Sequence, residues 1–386
     1  MDQSRFKTRY LYVSRTVLRQ LYAAVAMFVF GCGDGSDSIV IGLAGPFSEP
    51  HAQSMQLAAE LAVAEINRAG GVRGRMLELA VRDDSGQSAV SGRVARSLYD
   101  DPSVVAVIGH LSSAATLAAG PIYNGGKDPL PQISPSASSP EISSLGPYTF
   151  RVCPTDAVHG SRLADWARHS LGARTAAIVF ENDAYGRGLS AAFRESFTLI
   201  GGHIVTVDPF TANIPSFEPY FRRLLSLGGA EVLLIAGTPS GAGRILATLD
   251  SVGLRPAILA GDGIVGVERD RADAEGIFIS THYLADTPAT GNETFVAAYR
   301  QAFGDDAPDH RGAATYDIIH LLVRAIEAAG TSRSRLRQYL AGVGTTSEPF
   351  PGVTGEISFS NHGDLINGAV TIAVVRDRRL VGTMEQ

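Results

Sequence analysis

The sequence alternates short runs rich in β-branched residues with longer stretches in which apolar residues recur at helical spacing. Each strand–helix pair occupies about 25 to 35 residues, enough for a strand, a crossover helix and two loops. The predicted strands cover residues 39–44, 77–82, 104–108, 130–133, 176–180, 204–207, 231–236 and 257–260. The predicted helices cover residues 52–69, 88–99, 114–123, 160–171, 188–200, 217–227 and 241–252. Because such strands pair in parallel and are covered on both faces, the predicted fold class is α/β.

Two interruptions of the strand–helix alternation predict that this α/β chain forms two lobes. A proline-rich passage over residues 129–154 interrupts the alternation and indicates a crossing. Near residues 280–288 the pattern changes again, and three helices and two strands follow, over residues 293–303, 312–329, 333–340, 355–359 and 369–375.

We therefore expect two Rossmann-like lobes with parallel sheets, joined by a hinge that the chain crosses three times, near Cys153, His282 and Ser360. Lobe 1 comprises residues 39–154 and 283–359 in this prediction. Lobe 2 comprises residues 155–282 and 360–386.

The amino terminus has the pattern of an export signal. Residues 1–20 carry five basic residues and one acid, and residues 21–31 are almost wholly apolar. Eleven helical residues cover about 17 Å, too little for a hydrocarbon core of about 30 Å, so a cleaved signal peptide over residues 1–31 is favoured over a retained membrane helix.

The segment Val29-Phe30-Gly31-Cys32 resembles the lipobox of bacterial lipoproteins, although Phe30 is bulkier than usual. This resemblance predicts lipid attachment at Cys32 and a lipidated tether over residues 32–38, which anchors the chain at the extracytoplasmic face of a membrane. An ordinary signal peptide that happens to end near Cys32 is the alternative. With Cys32 acylated, Cys153 has no partner for a disulfide within the chain.

Charge and lysine content exclude several functions. The chain carries 33 basic and 39 acidic residues, and without residues 1–31 the net charge is −10, so nucleic acid is not expected as a partner. Lys7 and Lys127 are the only lysines, and neither stands in a phosphate-binding P-loop motif.

The sequence also lacks the common catalytic and metal-binding spacings. Nine histidines are scattered without an HxxxH pair or a cysteine companion, so neither a metal site nor a cofactor is predicted. In Gly237-Thr-Pro-Ser-Gly241 the serine stands one place too late for a nucleophile elbow. No pairing of nucleophile and base stands out, and we expect a protein that is not an enzyme.

A GxGxxG motif follows the predicted strand 257–260, at residues 261–266. Asp262 inside this loop places a carboxylate where a pyrophosphate would sit, and the following residues are too polar for a buried crossover helix. The loop therefore suits a cationic ligand group better than a dinucleotide.

Several segments together resemble the type I periplasmic solute-binding proteins of ABC transporters, in particular the branched-chain amino acid-binding (Leu/Ile/Val-binding) family. The resemblance covers most of residues 39–375. It is carried by residues 41–48, 64–72, 83–84, 107–113, 133–138, 178–188, 355–359 and 363–364. It implies a ligand held between two lobes that close around it by a hinge motion, with no bond made or broken.

The ligand-binding positions that the resemblance implies can be compared with the local sequence in lobe 1. Ser112 and Ser113 lie where a strand leads into a helix, and free backbone N–H groups at such a point attract anions. The resemblance implies that Ser113 and Ser138 bind a ligand carboxylate and that the Ser136 carbonyl faces the amino group. The alternative is that Ser112 and Ser113 only cap the helix and residues 134–139 form only a loop.

In lobe 2, Tyr185 and Asp262 follow predicted strands, at the strand ends where open α/β sheets place their ligands. The resemblance implies that Asp262 pairs with a ligand ammonium and that Tyr185 adds a hydrogen bond and a ring face. The alternative for Asp262 is a turn residue between two glycines.

The sequence departs from the family pattern in ways that affect specificity. Ser85 and Ser112 stand where relatives often form a disulfide. His51 or Ser54 falls where a first-loop tyrosine is frequent, and Thr238 stands where an aromatic residue is common. The zwitterion-binding residues are thus better preserved than the side-chain pocket, and branched-chain preference does not follow from the resemblance.

The expected function is that of an extracytoplasmic substrate-binding protein, which delivers an amino acid to ABC permease and ATPase subunits. Two alternatives stay open at this point. The same module can sense amides, urea or amino acids in signalling, and an enzyme site in the cleft would need a nucleophile–base pair.

Overall fold

The computed structural model describes residues 38–304 and 307–383. The first sheet has the order β2-β1-β3-β4-β5, and all its neighbouring strands are parallel. Its strands are β1 (Ile39–Gly45), β2 (Leu77–Asp83), β3 (Val104–Ile108), β4 (Gln132–Ser134) and β5 (Thr149–Arg151). In the register, Ile41 lies opposite Leu79 on one side and Ala106 on the other. All five residues of β3 are buried, as in a sheet covered on both faces.

The second sheet has seven strands. They are β6 (Thr175–Glu181), β7 (His203–Phe210), β8 (Val232–Ala236), β9 (Ala257–Ala260), β10 (Phe278–Thr281), β13 (Thr371–Arg376) and β14 (Arg379–Gly382). Their order is β14-β13-β10-β9-β8-β6-β7, and β6 to β10 pair in parallel. The late strand β13 is antiparallel to both of its neighbours. A separate antiparallel pair consists of β11 (Phe350–Gly352) and β12 (Gly355–Ile357).

Helices connect and cover the strands. They are α1 (Gln53–Arg68), α2 (Ser88–Tyr99), α3 (Ser113–Asn124), α4 (Asp156–Asp165), α5 (Ala184–Leu199), α6 (Glu218–Ser226), α7 (Pro239–Val252), α8 (Val267–Asp270), α9 (Asn292–Phe303), α10 (His310–Ala329) and α11 (Arg333–Gly342). Among the described residues, no helix is both long and apolar enough to cross a bilayer.

Each sheet has its own hydrophobic core. Side chains of α10 and α11, including Ile318 and Leu336, pack with Ile41 and Ile108 of the first sheet. Leu163 of α4 packs instead with Ile178 of the second sheet. The parallel sheets covered by helices confirm the predicted α/β class.

On this packing we propose the lobe boundaries given by the sequence, namely residues 39–154 and 283–359 for lobe 1 and residues 155–282 and 360–386 for lobe 2. The chain passes from one core to the other between β5 and α4, between β10 and α9, and between β12 and β13. Residues 384–386, the signal peptide over 1–31 and most of the tether with Cys32 lie outside the described residues.

The differences from the predicted elements have local causes. The strand predicted over residues 130–133 begins only at Gln132, because Pro131 has no N–H for a ladder. The helix predicted from residue 160 already starts at Asp156 and continues into a π-helical turn over Trp166–Ser170. The short strands β5, β10 and β14 were not predicted, since three or four residues carry too little periodicity.

Candidate ligand site between the lobes

The lobe 1 part of the site lies at the ends of β3 and β4. Ser112 is the N-cap of α3, and its hydroxyl accepts a hydrogen bond from the Ala115 N–H at 3.3 Å. Ser113 begins the helix, is buried, and its hydroxyl accepts from the Ser139 N–H at 3.1 Å. The capping role is therefore real for Ser112, whereas Ser113 joins the helix to the serine-rich loop that follows β4.

We call residues 134–139 the serine loop. The Ser134 hydroxyl accepts from the Ala137 N–H at 2.9 Å and donates to the His110 carbonyl at 2.7 Å, and so it fixes the turn. Ser136 is half-buried, and its N–H lies 3.4 Å from the Ser134 hydroxyl. The hydroxyls of Ser138 and Ser139 are buried and have no hydrogen-bond partner within residues 38–304 and 307–383. The loop thus presents buried donors that the described chain leaves unused.

Two buried polar contacts support this half of the site. The Arg151 guanidinium donates to the Ser139 carbonyl at 2.7 Å and to the Ala137 carbonyl at 3.3 Å, beneath the serine loop. His110 Nδ1 lies 2.5 Å from Asp84 Oδ2, and both side chains are fully buried. These contacts tie the ends of β2, β3 and β4 together and hold the serine loop from below.

The lobe 2 part of the site is centred on Asp262, in a single 3-10 turn after β9. The Tyr185 hydroxyl lies 3.4 Å from Asp262 Oδ1 and accepts from the Gly263 N–H at 3.0 Å. A four-residue helix, α8, follows this turn, so the GxGxxG segment does not lead into the long helix that a dinucleotide site requires. Tyr185 and Asp262 thus lie in contact beyond the carboxyl ends of β6 and β9, where the sequence analysis expects both of them.

Three histidines surround the other oxygen of Asp262. His159 Nε2, His282 Nδ1 and His310 Nε2 lie 3.8, 3.9 and 3.7 Å from Asp262 Oδ2. Burial lowers the pKa of His282 to about 4 and also lowers the pKa values of His159 and His310. These imidazoles are therefore neutral near pH 7 and do not neutralise the carboxylate.

Asp156 and Cys153 lie at the first crossing between the lobes. The Asp156 N–H donates to the Ser138 carbonyl at 2.9 Å, which connects α4 to the serine loop. Burial raises the pKa of Asp156 to about 8, so this carboxyl is largely protonated at neutral pH. Burial also raises the pKa of the free Cys153 thiol.

Arg311 joins the two halves of the site. It belongs to α10, whose core residues pack on the first sheet, and its guanidinium donates to the carbonyls of Asp262, Gly263 and Val265 at 3.1, 3.2 and 3.3 Å. Asp309 holds the same guanidinium at 2.9 Å. Arg311 therefore fastens lobe 1 to the Asp262 turn of lobe 2.

The two side chains predicted for the specificity pocket lie at the ends of other strands. His51 is half-buried in a 3-10 turn after β1, and burial followed by the charge of Arg311 lowers its pKa to about 4. Thr238 occupies the N-cap position of α7 after β8 without a capping hydrogen bond from its side chain, and its N–H donates to Glu181 Oε2 at 3.3 Å. A Cβ added to Gly263 would lie 2.7 Å from the Gly237 carbonyl, so the Thr238 loop packs closely on the Asp262 turn.

Sequence reasoning missed six residues of this region, namely Arg151, Asp156, His159, His282, His310 and Arg311. They come from four separate segments, and no fixed spacing connects them. The nearest signal is the polar run Asp309-His310-Arg311 at the start of a long apolar helix, which helix capping alone does not require.

This geometry defines a two-lobed binding protein, with polar groups from both lobes meeting at the carboxyl ends of parallel strands. A family model described as periplasmic binding protein matches residues 38–379. The chain belongs to the periplasmic binding protein family. Members of this family bind solutes and are not enzymes, which confirms the expectation from the sequence, as it confirms the resemblance to solute-binding proteins.

Individual relatives agree with this assignment. The chain is 27% identical to a leucine-, isoleucine-, valine-, threonine- and alanine-binding protein of Pseudomonas aeruginosa, over 92% of this chain and 95% of that protein. Among solved structures, an ABC transporter substrate-binding protein of Desulfitobacterium hafniense in complex with Leu is 30% identical, with a TM-score of 0.76 over 90% of this chain and all of that one. A leucine-binding protein of Thermotoga maritima is 25% identical, with a TM-score of 0.80 over 90% of this chain and 98% of that one. The two-lobed architecture predicted from the sequence is thereby confirmed.

Proposed function

We propose that this chain binds an α-amino acid, branched-chain or related, between its two lobes and delivers it to the permease and ATPase of an ABC importer. The names of its relatives support this function. The observation that carries it is the Asp262 carboxylate, whose side chain is only 3% exposed and has no arginine or lysine as an ion-pair partner among the described residues. Since a buried unpaired charge costs several kcal/mol, a ligand ammonium beside Asp262 Oδ1 and Tyr185 is strongly stabilised.

The serine loop supplies the complementary half of the clamp. The hydroxyls of Ser138 and Ser139 are buried without partners, and the Ser113 hydroxyl accepts one hydrogen bond while its own proton stays free to donate. A carboxylate accepts such donors and also gains from the N-terminus of the 12-residue helix α3. Arg311 then holds the lobes closed around the bound zwitterion.

Calorimetric titration of the full chain, treated with a chelator and freed of bound ligand, tests this function. The ligands are the common amino acids, aliphatic amides and urea. We expect one class of α-amino acid to bind, and Asp262→Asn and Ser113→Ala to weaken binding by about 100-fold. The matched variants Asp250→Asn and Ser226→Ala change exposed residues and should leave affinity unchanged. Binding of uncharged amides alone, or affinity indifferent to Asp262, would refute the proposal.

We further propose that lipid on Cys32 anchors this binding protein at the extracytoplasmic face of a membrane. The support is the sequence Val29-Phe30-Gly31-Cys32 after an apolar segment. Cells grown with radioactive palmitate should label the wild-type chain and not the Cys32→Ser variant. A Cys32→Ser chain that still takes up the label would show that the anchor is elsewhere.

A further inference from the structure

Four side chains from four separate segments meet at one point beside the cleft. His159 lies on α4, Asp262 follows β9, His282 follows β10, and His310 starts α10. One nitrogen of each histidine lies 3.7 to 3.9 Å from Asp262 Oδ2. The ligand atoms of His159, Asp262 and His282 all lie within 4.8 Å of one another.

The meeting atoms are buried and unused. None of the four side chains is more than 3% exposed. His159 Nε2, Asp262 Oδ2 and both ring nitrogens of His282 and His310 have no hydrogen-bond partner in the described part of the chain. Native proteins rarely leave buried polar atoms unpaired, and four that lie around one point, His159 Nε2, Asp262 Oδ2, His282 Nδ1 and His310 Nε2, indicate that something else occupies the space between them.

The hydrogen bond of His159 Nδ1 leaves its Nε2 able to bind a cation. His159 Nδ1 is 2.9 Å from the Ser280 hydroxyl, and when Nδ1 donates this hydrogen bond the lone pair of a neutral imidazole lies on Nε2. An outer hydrogen bond of this kind orients histidines that bind metal ions.

Distances distinguish the two cations that such a site could take. Around a zinc-sized ion with bonds of about 2.05 Å, tetrahedral ligand atoms are about 3.3 Å apart. Around an ammonium group with hydrogen bonds of about 2.9 Å, the acceptors are about 4.7 Å apart. The observed 3.7 to 3.9 Å lies nearer the value for the metal ion.

We propose that His159 Nε2, Asp262 Oδ2 and His282 Nδ1 bind one divalent transition-metal ion, with His310 Nε2 beside the site at 3.7 Å from Asp262 Oδ2. Imidazole nitrogens with a single carboxylate suit zinc and its neighbours in the first transition row better than magnesium or calcium. This inference runs against the absence of a metal site expected from the sequence, because the three ligands share no motif. It shares Asp262 with the proposed function, where the ammonium uses Oδ1 and the metal uses Oδ2. Bound zinc therefore neutralises the carboxylate and should weaken amino-acid binding, so the two proposals are tested on separate metal-free samples.

The test uses the full chain in mild detergent, purified without a polyhistidine tag and stripped with a chelator. Zinc chloride is titrated by calorimetry, and bound zinc is counted after dialysis. We expect one zinc ion per chain with micromolar or tighter affinity, and affinity lower by about 100-fold in His159→Gln/His282→Gln. The matched control His203→Gln/His362→Gln changes two exposed histidines and should bind zinc like the wild type. Cobalt in place of zinc should give the visible absorption of a four-coordinate ion in the wild type and in the control, and not in His159→Gln/His282→Gln.

Failure to bind one equivalent of zinc, or undiminished binding by the His159→Gln/His282→Gln variant, would overturn the inference. Failure to bind zinc is the result expected if a water molecule fills the site. Far-ultraviolet circular dichroism checks that the variant is folded, and the single variant His282→Gln replaces it if it is not. Amino-acid titration of a second portion of the same stripped sample separates the two proposals. Zinc binding without amino-acid binding would refute only the proposed function. Amino-acid binding without zinc binding would refute only the metal site.

Discussion

The buried Arg151 guanidinium pairs with the Asp364 carboxylate across 213 residues of sequence, with Nε and Nη2 at 2.7 and 2.6 Å from Oδ1. The same guanidinium donates to the carbonyl of Ser139 and to the hydroxyl of Ser143, each at 2.7 Å. One cation thus connects the serine loop to the third crossing between the lobes.

Replacing Arg151 by methionine should therefore destabilise the fold strongly. The substitution leaves the Asp364 charge and two loop carbonyls without their donor, so we expect the free energy of unfolding to fall by about 3 to 5 kcal/mol. Urea denaturation of the wild type and of Arg151→Met measures the loss. Arg335→Met, at an exposed position on α11, is the control and should change stability by less than about 0.5 kcal/mol. A loss below about 1 kcal/mol for Arg151→Met would contradict the role given to this contact.

Arg311→Met should weaken ligand binding through the lobe closure. Its guanidinium hydrogen bonds reach three carbonyls of the Asp262 turn from the other lobe. In the proposed closure these contacts form as the lobes meet, so we expect their removal to lower the affinity for the amino acid by about 10-fold or more. Calorimetry measures the affinity, and small-angle X-ray scattering with ligand present should show a larger radius of gyration than in the wild type. Unchanged affinity together with an unchanged radius would rule out Arg311 as the closing contact.

Gly263→Ala should disturb Tyr185 without unfolding the protein. A Cβ at this position would lie 2.5 Å from the Tyr185 ring and 2.7 Å from the Gly237 carbonyl, so the ring and the Asp262 turn must shift relative to each other. We expect amino-acid affinity to fall by about 10-fold. Gly92→Ala is a matched control inside α2, where the new Cβ meets nothing closer than Ile122 at 4.0 Å. It should leave affinity unchanged and raise stability by up to about 1 kcal/mol. Equal affinities for the two variants would show that Tyr185 does not contact the ligand.

The buried Asp317 predicts a pH-dependent stability. Burial raises its pKa to about 6, although it accepts hydrogen bonds from the Val353 N–H at 2.7 Å and from the Thr354 N–H and hydroxyl at 2.9 and 2.6 Å. Between the unfolded pKa of about 3.9 and the folded value, the folded state holds more protons than the unfolded state. The contribution of Asp317 to stability is therefore fully present below about pH 4 and is lost as the pH rises through about 6.

Asp317→Asn isolates this contribution. Its cost in unfolding free energy should be larger near pH 4.5 than near pH 7.5, by at most about 3 kcal/mol, since each pKa unit corresponds to about 1.4 kcal/mol. Urea titrations at the two pH values measure the difference, and the exposed substitution Asp250→Asn serves as the pH-independent control. A cost that grows as the pH rises would reverse the sign argued here.

The sequence alone predicts those parts of the site that local rules govern. The change from strand to helix places Ser112 at an N-cap and Ser113 in the first turn, and the structure has both there. The rule that ligands gather at the carboxyl ends of parallel strands likewise anticipates the contact between Tyr185 and Asp262. Periodicity also identifies the long helices, since α2 has the predicted bounds at both ends.

Contacts between distant segments are beyond such rules. His159, His282 and His310 each look like isolated histidines in the sequence, and only the packing of α4, β10 and α10 brings them to Asp262. Arg151 sits in a three-residue strand too short to be recognised, and its partner is 213 residues away.

The place of β13 in the second sheet sets an order on folding. β13 lies between β10 and β14, so the last described residues complete a sheet whose first strand begins at Thr175. The helices that cover the first sheet, α10 and α11, are likewise made after most of the second sheet. Because synthesis proceeds from the amino terminus, the first hydrophobic core stays incomplete until α10 and α11 have been made, and the second until the residues of β13 have been made. During that interval chaperones and proteases can reach the exposed edge of β10, and removal of β13 by truncation before Thr371 would make the exposure permanent.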